Sequence, residues 1–168
     1  MICCVTGHRP AGFPFPYGYG PRYEHYRGLL GRKIEGLIRV GCTGFITGMA
    51  LGADLDFAEE VLLAARRYAE KVPITLEAAI PCPDQTRRWF SDKQLARYRD
   101  ILAACDKRTL VSPAYTPACM QKRNRYMVDR ADIVLAVYNG ATSGGTYNTL
   151  RYAENLGKTV VYLRVDGL

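Results

Sequence analysis

Histidine is scarce in this chain, with two residues, and none of the six cysteines forms a Cys-x-x-Cys pair. A structural zinc site of the usual Cys/His spacing is therefore excluded from the working reading. Cys3, Cys4, Cys42, Cys82, Cys105 and Cys119 are read as reduced thiols in packing roles, with Cys82 and Cys119 the two that fall in loops near strand ends. No apolar run approaches the ~20 residues that span a bilayer, so no membrane partner is expected. The start, Met1-Ile2-Cys3-Cys4-Val5, has neither the basic residues nor the long apolar stretch of a secretion signal, and a cytoplasmic location is the expectation. Neither a Walker loop nor a Gly-x-Gly-x-x-Gly fingerprint is present, which removes the two commonest phosphate-binding signatures.

What is abundant is positive charge and hydrophobic periodicity. The formal charge of +7 favours an anionic partner: a nucleotide, a nucleic acid or another phosphate compound. Strand and helix signals alternate along all 168 residues. Short apolar runs stand at 2–6, 44–47, 74–80, 108–111, 133–138 and 159–163. Stripes at helical spacing stand at 22–40, 54–69, 85–104, 117–130 and 147–156. Ile133 to Tyr138 is apolar throughout and reads as a buried central strand. Repeated βα units imply an α/β fold: a single Rossmann-like three-layer α/β/α domain with a mostly parallel sheet. Only Pro10 to Pro21 departs from this pattern. It packs four Pro, three Gly, two Phe and two Tyr into twelve residues, as either a structural cover or a lid over a ligand.

In such sheets ligands bind beyond the carboxyl ends of the strands. Three loops at that end carry the candidate residues. The first is Thr6-Gly7-His8-Arg9, where Gly7 permits close backbone approach and His8 and Arg9 offer donors to an anion. The second runs from Thr47 through Gly48, Met49 and Gly52 to Asp54. Its glycines and helix start suit a phosphate, and Asp54 is either a helix cap or an acceptor of ribose hydroxyls. The third is Ser143-Gly144-Gly145-Thr146, two hydroxyls and free N–H groups at a helix start, with Thr146 as a plain cap the alternative. Glu77 interrupts an apolar strand and needs a partner: a structural salt bridge, or His8 or an arginine of the site. On the basic helix, Met120, Asn124 and Met127 share a face, so Asn124 is either a core amide or reaches the cleft. Arg125 and Asp129 stand at pairing distance along the same helix.

Taken in order, these stretches resemble the SLOG superfamily of Rossmann-like nucleotide-binding proteins, in particular its YpsA-like branch. The matching segments are Thr6–Pro10, Phe45–Asp54, Leu76–Cys82, Tyr115–Pro117, Asn124-Arg125 and Ser143–Thr146. The resemblance implies binding of a nucleotide, nucleotide sugar or ADP-ribose-like ligand. By analogy a homodimer is expected. The superfamily also holds the Lonely Guy phosphoribohydrolases, whose helix motif resembles Met120–Met127 with Arg123 at the catalytic arginine. Those enzymes place a glutamate three residues after Gly-Thr, where this chain has Thr149. The departure counts against that hydrolysis and leaves glycosidic or phosphate chemistry through His8, Glu77, Asp54 and Arg123 as an alternative. Another relative, the DNA-processing protein DprA, makes single-stranded nucleic acid the second-choice partner.

Overall fold

The change of hydrophobic period along the chain produces six strands and five α-helices. A computed structural model describes residues 1–168. The elements are β1 (Ile2–Gly7), α1 (Pro21–Arg39), β2 (Gly44–Thr47), α2 (Ala53–Tyr68), β3 (Thr75–Ile80), α3 (Asp92–Ala104), β4 (Lys107–Leu110), α4 (Cys119–Arg130), β5 (Ile133–Tyr138), α5 (Gly145–Asn155) and β6 (Thr159–Arg164). All strand pairs are parallel and the order across the sheet is β4-β3-β2-β1-β5-β6. Chain progress therefore reverses between β1 and β5, and a crevice opens beyond their carboxyl ends.

Side-chain alternation sorts the strands onto two faces. Cys3, Val5, Phe45, Leu76, Ala78, Leu135 and Val137 enter a large core with α1, α2 and α3. Cys4, Ile46, Ala79 and Val134 enter a smaller one with Met127, Val128 and Ala153 of α4 and α5. Adjacent Cys3 and Cys4 thus point to opposite faces, and all six cysteines are buried free thiols. No helix is long and apolar enough to cross a membrane.

The Pro10–Pro21 segment is packed rather than loose. Phe13 and Phe15 are buried, with ring centroids 5.1 and 6.0 Å from Tyr26. The segment is also tied by charge. Asp56, wholly buried on α2, accepts from the hydroxyls of Tyr17 at 2.8 Å and Tyr23 at 2.7 Å and from Nη2 of Arg97 at 2.6 Å. These contacts tie the segment to α1, α2 and α3.

Three helices start two or more residues from where their periodicity suggests, α4 among them at Cys119 instead of Pro117. α3 begins at Asp92 instead of Gln85, because the Ser91 side chain caps it by accepting from the Gln94 N–H. α5 begins at Gly145 instead of Tyr147. Its cap, Gly144, has φ +94°, a conformation that favours glycine, so the Gly pair opens the helix rather than preceding it.

Candidate functional site

The crevice at the reversal is a cleft of about 360 Å³. Val5, Thr6 and Gly7, the end of β1, form its floor. Gly7 is there because a side chain would collide with Ala53 and come within 2.9 Å of the Val137 Cβ. His8 and Arg9 form one rim, and Met120, Arg123, Asn124 and Met127 of α4 form the opposite wall. Ala50 and Asp54 close one end, Gly145 and Thr146 at the start of α5 the other. No side chain caps α5, so its first N–H groups remain available beside the cleft.

Arg123 and Asp54 are the charged pair of the interior. Both are buried, with Nη1 and Oδ2 3.9 Å apart. Arg123 also donates through Nη1 to the Gly48 carbonyl and through Nε to Asn124 Oδ1 at 2.8 Å. Burial pushes the Asp54 carboxyl up and the Arg123 guanidinium down, and their mutual attraction opposes both shifts. Desolvation therefore outweighs the attraction for each partner, a balance expected of an ion pair removed from water. Arg9, by contrast, is exposed, and its guanidinium makes no ion pair within the chain.

His8 Nε2 accepts from the Asn139 N–H at 3.1 Å, which fixes the ring as the neutral Nδ1–H tautomer. The ring stacks on Tyr138 at 5.9 Å, with an interplanar angle of 12°. Burial lowers its pKa below the ordinary 6.5. The unfolded chain then binds the His8 proton more readily than the folded one. The contribution to stability is full above about pH 6.5 and is lost as pH falls through the unfolded value toward the depressed folded one. Urea denaturation of the parent should give a lower midpoint at pH 5.5 than at pH 7.5, and His8→Gln should reduce that difference. An unchanged difference in the variant would remove His8 as the cause.

The structure brings Thr6, Gly7, His8, Arg9, Asp54, Arg123, Asn124, Gly145 and Thr146 together in the cleft. Others fall outside its lining. Met49 is wholly buried in the large core, at φ +58°. Gly48 supports the cleft from behind: a side chain there would overlap the Arg123 guanidinium and stand 2.6 Å from Asp54 Oδ2. Gly52, at φ +99°, lies under the His8–Arg9 backbone, where a side chain would meet the Arg9 Cα at 2.8 Å. Ser143 and Gly144 are exposed on the approach to α5. Asp54 and Thr146 are not caps. Those positions belong to Gly52 and Gly144, which frees both polar side chains to face the cleft.

Glu77 is corrected most. It accepts from Tyr126 at 2.6 Å, Thr109 at 2.7 Å and Lys107 at 3.1 Å, on the α4 face of β3. It is the third residue of β3, in register with Ile46 of β2 and through it with Cys4 of β1, and it stands two strands away from the cleft floor. Those donors hold its pKa below the usual carboxylate range against the opposing effect of burial, and it acts as a structural acceptor. A supporting residue that the spacing does not reveal is Gln85, which donates to the Gly48 carbonyl at 2.8 Å and accepts from Tyr98 at 3.3 Å.

Known proteins resemble this chain in sequence and in fold. The family model described as the YspA SLOG family, YpsA, matches residues 3–166. A UPF0398 protein of Bacillus pumilus is 26% identical over 170 residues, covering 99% of this chain and 89% of its own. An uncharacterized SPbeta prophage-derived protein of Bacillus subtilis, YoqJ, is 33% identical over 122 residues, covering 66% of this chain and 68% of its own. Among solved structures, DNA processing protein A of Helicobacter pylori, described for its single-stranded DNA binding mode, superposes with TM-score 0.60 at 17% identity over 96% of this chain. The Streptococcus pneumoniae protein gives 0.61 at 15% identity over 95%. This chain spans 64% and 49% of those two structures, respectively, so the likeness is one of fold. With its model matched from Cys3 to Asp166, the chain belongs to the YspA SLOG family.

Proposed function

We propose that the cleft binds the phosphate of a nucleotide or nucleotide-derived ligand, such as a nucleotide sugar or an ADP-ribose-like compound. One observation carries this reading: an unpaired guanidinium, Arg9, faces the same cleft as a buried one, Arg123, and the uncapped start of α5. A phosphate would complete all three, taking charged hydrogen bonds from the arginines and backbone N–H groups from the helix. Binding is favoured over cleavage. Asp54 is the one carboxylate lining the cleft, and it is held by Arg123, while Glu77 belongs to another cluster.

Arg9 offers a clean test because it is exposed and bears no structural load. Arg9→Ala should weaken nucleotide binding by about 10- to 100-fold, the worth of one charged hydrogen-bonding group, with the unfolding midpoint unchanged. Calorimetry of parent and variant against nucleotides, NAD and ADP-ribose reads this. Absence of binding to every ligand at millimolar concentration would end the proposal.

A second reading, single-stranded nucleic acid, is favoured by the +7 charge and by the fold shared with the Helicobacter pylori protein. In that case affinity for an oligonucleotide should fall steeply with salt, because phosphate contacts release counterions. A flat salt dependence would discard it.

A further inference from the structure

The cleft continues past Asn124. A second hollow of about 330 Å³ lies between α4 and α5, and Met120, Asn124 and Gly145 line both hollows. The chemistry changes across this shared wall. The first hollow holds Arg9, Arg123 and Asp54. The second holds Gln121, Asn124, Arg125, Asn148, Thr149 and Tyr152, with no acidic side chain. Asn124 Oδ1 is occupied by Arg123, whereas its Nδ2 and the amides of Gln121 and Asn148 have no partner in the chain. Arg125 does not pair with Asp129. Its guanidinium lies 5.3 Å from the Tyr152 ring centroid, and the Tyr152 hydroxyl donates to Asp129 at 2.7 Å. Thr149, which stands where Lonely Guy enzymes carry glutamate, turns its hydroxyl to the Gly145 carbonyl at 2.8 Å.

We infer that this second hollow is a nucleobase subsite, so that a ligand is held at both ends: phosphate in the first hollow, base between α4 and α5. The inference rests on the phosphate reading above. A base is flat, uncharged and edged with donors and acceptors. The amides of Gln121 and Asn148 each present both kinds of group and Asn124 adds a donor, and the side-by-side donor and acceptor of an amide match such an edge in a bidentate pair. The planar Arg125 guanidinium beside Tyr152 supplies the flat surface on which bases stack. An acidic side chain would discriminate by charge, and none lines the hollow.

The test is calorimetry of the full chain with ribose 5-phosphate and with AMP, GMP, CMP and UMP. At least one nucleotide should bind about tenfold or more tightly than ribose 5-phosphate, the worth of one bidentate amide–base pair. The double variant Gln121→Leu/Asn148→Leu changes two exposed side chains. It should bring that nucleotide to the affinity of ribose 5-phosphate and leave ribose 5-phosphate itself unaltered. Equal binding of all five ligands by the parent overturns the subsite while the phosphate reading stands. Equal weakening of all five by the double variant does the same. If the parent binds none of them, the subsite fails, and the phosphate reading fails with it only when NAD and ADP-ribose are not bound either.

Discussion

Replacing Asp56 with alanine will lower the unfolding free energy by about 3 kcal/mol, the lower end of the range for breaking a buried ion pair. The lower end applies because the arginines keep other partners. Arg27 retains Glu59 at 2.9 Å and Glu60 at 2.6 Å, and Arg97 retains Glu59 at 2.6 Å. What is lost is the common acceptor. A single oxygen of Asp56 receives Tyr17, Tyr23 and Arg97, and Arg27 stands 3.5 Å from it. These donors come from the loop after β1, from α1 and from α3, so one carboxylate joins three segments to α2. In a chain of this size such a loss lowers Tm by roughly 6–12 °C. Urea denaturation would show the drop, and limited proteolysis would show faster cutting within Pro10–Pro21. A variant within about 1 kcal/mol of the parent would mean that buried Phe13 and Phe15 alone hold the loop.

Asp56 also marks where sequence reading ends. The order of elements was legible because each has its own period. Ile133–Tyr138 is a strand over all six expected residues, since a strand buried on both faces needs an unbroken apolar run. The cleft was legible in outline because ligand loops follow strands, which located Thr6–Arg9, Asp54 and Gly145-Thr146. Asp56 was not legible. An acidic residue in the first turn of a helix is ordinary, and its partners at 17, 23, 27 and 97 are scattered in sequence. Glu77 misled for a related reason. Its need for a partner was evident, but the place of β3 in the sheet was not: two strands from β1, Glu77 meets Lys107 and Thr109 of β4 instead of the cleft. Met49 misled because it stands between Gly48 and Gly52, glycines that suit a ligand, whereas its own side chain fills the core.

The same reasoning about buried charge leads to Arg123, where stability and function meet. Arg123→Met should cost about 3–5 kcal/mol at pH 7.5, because Asp54 is left buried without its counter-charge. The cost should depend on pH, with a definite sign. Burial already raises the folded-state pKa of Asp54 above its unfolded value, and removing the attraction of Arg123 raises it further. A carboxyl with a raised folded pKa favours the folded state at low pH and loses that contribution as pH rises through the folded value. The deficit of the variant relative to the parent should therefore be smallest near pH 4.5 and grow toward pH 7.5. Arg123→Met/Asp54→Asn should recover much of it at pH 7.5, since the neutral amide needs no counter-ion. Denaturation curves for the three chains at the two pH values measure this, and a deficit that does not change with pH would mean that Arg123 acts chiefly through the Gly48 carbonyl. Ligand affinity separates the two roles. The double variant restores the fold without restoring the guanidinium, so nucleotide binding should remain at least as weak as in Arg9→Ala. Stability recovered with binding still lost is the combination expected of a residue that holds the cleft open and also presents its charge to the phosphate.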